Sequence, residues 1–393
     1  MEDFKIKTSI YFGEGSLERL SHIGNKNVLI ITDPFMVKSG TINKITDKLV
    51  SASVTVFSEI IPDPPIELVV KGIEELNKVN PEVIVALGGG SAIDAAKAIM
   101  DFSKNILSLK NIEFIAIPTT SGTGSEVTSF SVITDKEKGV KYPLVSEKLI
   151  PNIAILDPEL VKTVPPAITA DTGMDVITHG LEAYVSTKAN DFTDALAEKS
   201  LMLAFKYIEK AYKDGSDMEA REKMHNASCL AGIAFNSASL GINHSIAHTL
   251  GGKFHVPHGR TNAMLLPYVI EYNANIVGYD NKDYSLAAKK YHNIAKLLGL
   301  PSNNIRMGVK NLINLIKTME KNMKMPLNLK ECGVDTHKVA ESLENIAESA
   351  FADACTPTNP RIPTKEDIMR IVEKVKEWYM NMNFLQEHNN IKC

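Results

Sequence analysis

The sequence predicts an α/β domain built on a parallel sheet, followed by an all-helical domain. Three observations predict it. Short, continuously apolar β-rich runs alternate with helical patterns through the first part of the chain. A glycine-rich turn follows one of those runs and opens a helix. Beyond Leu156-Asp157-Pro158-Glu159 and the cluster Val164-Pro165-Pro166, strand patterns nearly vanish.

Taken in order, residues 27–33 (NVLIITD), 54–58 (VTVFS), 82–87 (EVIVAL) and 113–117 (EFIAI) read as strands. They are largely apolar along their length, which is the pattern of a parallel sheet covered on both faces. The stretches 66–78 and 92–101 read as the intervening helices. After the prolines, 192–212, 219–235 and 365–382 read as long helices. The expected division is therefore an α/β domain over 1–165 and a helical domain over 166–393. Two domains suit 393 residues, at roughly 100–200 residues each. The stretch around Met319, Met323 and Met325 reads as core or surface filler.

Composition narrows the class. Hydrophobic residues are 44% and charged residues 23% of the chain, the balance of a globular protein rather than a disordered or fibrous one. The net charge is -4 and no Lys/Arg block stands out, which argues against a nucleic-acid partner. The opening MEDFKIKTSIYF carries acids and no long apolar run, so it does not read as a signal peptide. No stretch approaches the roughly 20 apolar residues of a membrane span. Cys229, Cys332, Cys355 and Cys393 are far apart and form no CxxC pair. No disulfide framework is expected, and a reducing cytoplasm fits.

Two loops carry the first chemistry. Gly88, Gly89, Gly90 and Ser91 sit between a strand and a helix. Glycines let backbone N–H groups approach a phosphate, and a helix N-terminus favours negative charge. Asp94 follows Ser91 by three residues and is counted with this loop. The same spacing is that of a capping box, so Asp94 could instead cap the helix. The dinucleotide pattern GxGxxG is absent. The second loop, 118–126 (PTTSGTGSE), packs hydroxyls and glycines after the fourth strand, where open α/β sheets bind ligands. Together the loops suggest a nucleotide's phosphates and ribose. Asp33, at the end of the first strand, could accept from a ribose 2′-OH and repel a 2′-phosphate, favouring NAD(H) over NADP(H). It could equally initiate the turn before Pro34.

The strongest constellation lies in the second half. Asp175 and His179 are four apart, as are His244 and His248, so each pair shares a helix face. His255 and His258 follow, placing four of the ten histidines within fifteen residues. An Asp with several His from separate segments suits Fe(II) or Zn(II); Ca or Mg would prefer oxygen alone. Spacing alone does not rank His255 below His258. Glu182 shares a face with His179 and reads either as a partner of a ligand or as a surface acid. His22, His225, His292, His337 and His388 stand alone and read as structural or exposed. A nucleotide loop pair with a metal cluster in a helical lobe implies an enzyme working in a cleft. A scaffold with a purely structural metal is the alternative. No GxSxG elbow or Walker A sequence is present.

At these residues the sequence resembles the iron-containing (group III) alcohol dehydrogenase family. The motifs are 88–97 (GGGSAIDAAK), 118–128 (PTTSGTGSEVT), 173–184 (GMDVITHGLEAY) and 244–259 (HSIAHTLGGKFHVPHG). The resemblance runs from Tyr11-Phe12-Gly13 to Thr358-Asn359-Pro360-Arg361. Within the family it is nearest the 1-propanol dehydrogenases of propanediol utilisation, through 57–64 (FSEIIPDP), 138–144 (KGVKYPL), 191–199 (DFTDALAEK) and 223–232 (KMHNASCLAG). The resemblance implies a Rossmann-like dinucleotide-binding domain and a helical metal-binding and substrate domain. It implies Asp175, His179, His244 and His258 as metal ligands and leaves out His255. It implies His248 as the catalytic residue beside nicotinamide and substrate. Asp33, Gly88 to Ser91, Thr119, Thr120, Thr128 and Lys141, with Asp63 and Phe130, fall at positions expected to contact the cofactor. The implied activity is reversible hydride transfer between NAD(H) and short primary alcohols or aldehydes, with Fe(II) or Zn(II). Aldehyde reduction in fermentation is the implied direction. Related activities on 1,2- or 1,3-propanediol, lactaldehyde or butanol share these motifs. A dehydroquinate-synthase-like chemistry on the same fold is a further alternative. Homodimers or larger homo-oligomers are implied, in the cytoplasm or among the neighbours of a bacterial microcompartment.

Overall fold

A computed structural model describes residues 3–107, 112–135, 140–277 and 283–377. Six strands form one parallel sheet: β1 (Ser9–Phe12), β2 (Asn27–Thr32), β3 (Ser53–Phe57), β4 (Val83–Gly88), β5 (Glu113–Pro118) and, later in the chain, β8 (Ile153–Leu156). Their order is β1-β8-β5-β4-β2-β3. Between β5 and β8, β6 (Phe130–Asp135) and β7 (Val140–Val145) pair antiparallel as a separate hairpin.

The four predicted strands occupy one side of the sheet as β2 to β5. Leu29, Ile31, Ile84 and Ala86 face a layer made by α3 (Ile66–Val79) and α4 (Gly90–Leu107), numbered after α1 (Pro34–Lys38) and α2 (Thr41–Thr46). Val28, Ile30, Val83 and Val85 face α1, α2 and the 3-10 helix Ser16–Ile23. Both faces are covered, which is why β2, β4 and β5 are buried and apolar almost throughout; β3, at the sheet edge, is only partly buried. β1, β8 and the hairpin were not anticipated. β1 is an edge strand that is mostly exposed, and β8 has only four residues, so neither presents a long buried run. β7 contains Pro143, which a two-stranded hairpin tolerates because each strand keeps an unpaired edge.

The connection order positions the site. From β2 the chain moves outward to β3 over one face, and from β4 it moves the other way to β5 over the opposite face. The strands β2 and β4 are neighbours, with Thr32 opposite Leu87. Their carboxyl ends therefore flank a topological switch point, where open α/β sheets form a ligand crevice.

From Pro166 onward the described chain is helical: α5 (Pro166–Val185), α6 (Asp191–Lys213), α7 (Met218–Ala238), α8 (Ile242–Phe254), α9 (His258–Ala274), α10 (Leu286–Leu297), α11 (Ile305–Asn322), α12 (Thr336–Glu341), α13 (Leu343–Ala352) and α14 (Lys365–Lys376). Pro166 stands at the first position of α5, where a missing N–H costs nothing. Almost every residue of α5 from Gly173 to Val185 is buried, and its apolar or small residues run all round, as in a helix enclosed by others. One core joins α5, α6, α7, α10 and α11; a second joins α8, α13 and α14; α9 contributes to both. Residues 378–382 of the last predicted helix, and Cys393, lie outside the described residues.

Candidate metal centre and nucleotide crevice

The buried helix α5 carries Asp175, His179 and Glu182 at spacings of four and three, so the three line one stripe. α8 brings His244 and His248 one turn apart, and His258 opens α9 directly after Pro257. The donor atoms of Asp175, His179, His244 and His258 all lie within 4.8 Å of one another. The rings of His179 and His244 stack at 4.5 Å, and those of His244 and His258 are 5.2 Å apart. Asp175, His179 and His244 are buried, whereas the side chains of His258 and His248 are 40% exposed, so the cluster opens on their side. His255 is exposed and ends α8 in the left-handed conformation, outside the cluster.

These residues fit a divalent transition metal on their own chemistry. Asp175 Oδ1, His244 Nε2 and His258 Nε2 converge on the amide nitrogen of Asn262, at 2.7, 3.1 and 3.1 Å. An NH2 group carries two protons, so three acceptor atoms exceed what it can satisfy. His179 Nδ1 is buried with no partner among the described residues. Three imidazoles and one carboxylate form a borderline N/O donor set that suits Fe(II) or Zn(II). Glu182 resolves as a partner rather than a surface acid. It is buried, and its Oε2 lies 2.5 Å from His244 Nδ1 while its Oε1 accepts the backbone N–H of Asn243 at 2.8 Å. A carboxylate only accepts, so Nδ1 carries the proton and Nε2 presents its lone pair to the cluster.

The electrostatics agree. Burial pushes the Asp175 carboxyl up, but His179, His258 and His244 together hold it below the usual carboxylate range. Burial lowers His179 to about 4 and His258 to about 3, with neighbouring histidines adding to the effect. His244 is raised to about 9, because Glu182 and Asp175 outweigh its burial, so without a metal its Nε2 also holds a proton, which metal binding would displace. Neutral His179 and His258 are already in the form that binds metals.

His248 faces a second carboxylate. Its Nδ1 lies 2.9 Å from Asp353 Oδ2, and Asp353 Oδ1 accepts the backbone N–H of Cys355 at 2.8 Å. His248 stacks with His258 at 5.4 Å, which sets it beside the cluster.

Asp33 and Gly88 to Ser91 stand at the switch point, with Thr120 against Gly89. Asp33 caps α1, its Oδ1 accepting from Phe35 N and Met36 N at 2.8 and 3.1 Å. It therefore does initiate the turn, while Oδ2 turns toward Gly88. Gly88 has φ +148, and a Cβ there would lie 2.7 Å from Ala92 Cβ and 3.3 Å from Asp33 Oδ2. Only glycine lets the end of β4 sit against this carboxylate. Gly89, Gly90 and Ser91 form the N-terminal end of α4 beside it. Asp63, with φ +52, precedes Pro64, whose carbonyl accepts Thr134 N and ties this turn to β6. Lys141 stands in β7 opposite Thr134; its side chain lies outside the described ones.

Asp94 does not cap α4, which begins at Gly90. It is half-buried and accepts from Ser125 Oγ at 2.5 Å and Val132 N at 3.1 Å. Its neighbour Lys97 is fully buried and donates to Thr128 O, Thr128 Oγ1 and Phe130 O at 2.8, 3.2 and 2.7 Å. Burial lowers Lys97 to about 8 and raises Glu126 to about 7. Thr119 is buried, and Thr120 is half-buried beside it.

The second loop is also a strut. Ser121 Oγ meets His225 Nδ1 at 3.0 Å, and Ser129 N donates to Asn236 Oδ1 at 2.7 Å. Gly124, in the left-handed region at φ +61, lies so close to α7 that a Cβ would come 2.7 Å from Gly232 Cα. His225, Gly232 and Asn236 share one face of α7. Phe130 then contacts Phe235, which stacks on His179 at 4.6 Å, linking the nucleotide side to the metal side.

Sequence reasoning missed Asn262 and Asp353. Asn262 stands four residues after His258 on the same helix, a spacing that could have flagged it. Asp353 is 105 residues from His248 in the chain, and only the fold joins them.

Residues 7–158 match the family described as iron-containing alcohol dehydrogenase, and residues 169–376 match the C-terminal part of the Fe-containing alcohol dehydrogenase family. The chain is 46% identical over 378 residues to the 1-propanol dehydrogenase PduQ of Citrobacter freundii, covering 95% of this chain and 100% of that one. It is 41% identical over 392 residues to the NADPH-dependent butanol dehydrogenase of Clostridium saccharobutylicum, covering 95% and 98%. The solved iron-containing alcohol dehydrogenase of Thermococcus thioreducens is 34% identical, with a TM-score of 0.86 and coverage of 95% and 99%.

Proposed function

The chain belongs to the iron-containing alcohol dehydrogenase family, and from that premise we propose that it interconverts propanal and 1-propanol, or closely similar short aldehydes and primary alcohols, using NAD(H) and Fe(II). The observation that carries the reading is the convergence of Asp175, His179, His244 and His258 beside the nucleotide crevice. These four residues would hold the metal, with Glu182 orienting His244. The donor set accepts Zn(II) as well. The same reading divides the chain into a nucleotide unit, 1–165, and a metal and substrate unit, 166–393. The change from sheet to helices between Leu156 and Pro166 supports it.

When bound, NAD(H) gives or takes the hydride, and the divalent metal supplies Lewis acidity toward the substrate oxygen. The residues of the chain do the rest. Gly88 to Ser91, at the N-terminus of α4, would bind the pyrophosphate through backbone N–H groups. Thr119, Thr120 and Thr128, with Asp63, Phe130 and Lys141, frame the nicotinamide side. Asp94 and Lys97 act on it indirectly, by holding Ser125, Val132, Thr128 and Phe130 in place. Asp33 would accept from the adenosine ribose and repel a 2′-phosphate, which supports NAD(H). A second reading, NADPH, is favoured by the butanol dehydrogenase relative. His248, at the open side of the cluster, would exchange the proton that accompanies hydride transfer.

Aldehyde reduction, with regeneration of NAD, is the proposed direction. The likeness to PduQ supports a place among propanediol-utilisation enzymes and microcompartment neighbours. Homo-oligomers, dimers or larger, are proposed from the family. No helix among the described residues is long and apolar enough to cross a membrane.

The test is oxidation of NADH and of NADPH with propanal by anaerobically purified protein, stripped of metal and then given Fe(II) or Zn(II). Metal-restored turnover supports the reading, and the ratios report the working metal and coenzyme. Folded protein that binds NADH yet turns over with neither metal overturns it.

A further inference from the structure

The two histidines of α8 are built alike. His244 Nδ1 meets Glu182 Oε2, and the other Glu182 oxygen accepts a backbone N–H, that of Asn243. One turn later, His248 Nδ1 meets Asp353 Oδ2 at 2.9 Å, and the other Asp353 oxygen accepts a backbone N–H, that of Cys355, at 2.8 Å. Ser245 Oγ adds a longer contact of 3.3 Å to that second oxygen. In both pairs the carboxylate is the only acceptor of the Nδ1 proton among the described residues, and a backbone donor fixes which oxygen faces the ring. The first pair prepares Nε2 of a candidate metal ligand. The second does the same for the histidine that borders the cluster without belonging to it.

We propose that Asp353 is a positioning residue. It holds His248 in the Nδ1–H tautomer, so that Nε2 keeps a lone pair for the substrate side of the cleft. When alcohol is oxidised, that lone pair accepts the proton that leaves the hydroxyl system. When aldehyde is reduced, the imidazolium returns it through the same nitrogen. Asp353 stays ionised throughout and accepts the Nδ1 hydrogen bond in both states. The inference rests on the proposed proton role of His248.

The geometry predicts what an isosteric amide does. In Asp353→Asn the N–H of Cys355 still requires an acceptor, so the amide oxygen takes the Oδ1 position. The NH2 group then faces His248 Nδ1 and donates to it. The ring proton must move to Nε2, and the lone pair is lost from the cleft. The tautomer is read from two-bond 15N–1H correlations of histidine-labelled, zinc-loaded protein, which is diamagnetic. The signals that vanish in His248→Gln assign the residue.

The expected result is an Nδ1–H ring in the wild type and an Nε2–H ring in Asp353→Asn. The kcat of the metal-loaded enzyme should fall about 10- to 100-fold, the usual cost of removing a partner that orients a working histidine. Metal content and NADH affinity should stay at wild-type levels, which separates positioning from misfolding. A wild-type Nε2–H ring, an unchanged tautomer in Asp353→Asn, or a reversed tautomer with unchanged kcat overturns the inference. His248→Gln at wild-type kcat instead sinks the proton role itself. The two failures are therefore distinguishable.

Discussion

Replacing Glu182 by Gln tests the metal site through a residue that would not itself touch the metal. The change preserves shape and removes one charge. Glu182 Oε1 accepts Asn243 N–H at 2.8 Å, and Oε2 faces His244 Nδ1 at 2.5 Å, both fully buried. The amide has two orientations. With its oxygen toward Asn243, its NH2 donates to Nδ1 and drives the ring proton to Nε2, the atom that should face the metal. With its oxygen toward Nδ1, its NH2 opposes the Asn243 N–H, and a buried donor is left unpaired. The unpaired donor costs about 1–3 kcal/mol, so metal affinity should weaken about 5- to 150-fold. The assay is competition with a calibrated chelator for Zn(II), and anaerobically for Fe(II), with thermal unfolding of the stripped protein as a control. Wild-type affinity for both metals in a folded Glu182→Gln protein would refute the argument that Glu182 prepares His244.

Other perturbations probe neighbouring parts of the site and fold. His258→Ala should lose stoichiometric metal and most turnover; metal analysis showing one bound equivalent would remove His258 from the ligand set. Asp33→Asn keeps the Oδ1 cap of α1 and removes the charge, so kcat/KM for NADPH relative to NADH should rise about tenfold, the relief of about 1–2 kcal/mol of repulsion near solvent; an unchanged ratio counts against Asp33 as the selector. Gly124→Ala places a Cβ 2.7 Å from Gly232 Cα in a left-handed backbone, which should cost about 2–4 kcal/mol and show as a lower Tm together with weaker NADH binding. Glu320 is buried and raised to about 8 from 4.5, so the folded chain keeps a proton that the unfolded chain releases, and its contribution to stability falls as pH rises from 4.5 to about 8. Glu320→Gln should remove that slope and gain on the wild type at pH 8, measured by Tm across the range; parallel curves for the two proteins would show that Glu320 is not the source.

The parts legible in the sequence are those whose physics is local. β2, β4 and β5 were readable because both sheet faces are covered, leaving uninterrupted apolar runs, and β3 through its β-branched and aromatic residues. β1 and β8 were not, being short or exposed, and Pro143 disguised the hairpin. Asp175–His179 and His244–His248 were readable as pairs because one helical turn is a local spacing. His255 and His258 could not be ranked by spacing, since the difference is made by a left-handed residue that ends α8 and turns His255 to solvent. Glu182 and Asp353 take their meaning from partners 62 and 105 residues away. No local pattern encodes such a pairing.

The second loop makes contacts that its composition alone does not show. Its glycines and hydroxyls look like a phosphate cradle, yet Ser121, Ser125 and Ser129 bond His225, Asp94 and Asn236, and Gly124 lies against Gly232. Small residues permit close approach to a helix as readily as to a phosphate, and the spacing is the same in both cases. Hydride transfer needs reacting atoms brought within about 3–3.5 Å of each other. In the proposed reaction that alignment would depend on how the sheet is seated against the helices. The segment sets the seat: one end leaves β5, Ser125 ties it to α4 through Asp94, and Ser121, Gly124 and Ser129 meet a single face of α7. That same helix presents Phe235 to His179. A loop that touches protein on both sides can therefore be as necessary to catalysis as one that touches the coenzyme, because displacing it moves one half of the reacting pair relative to the other.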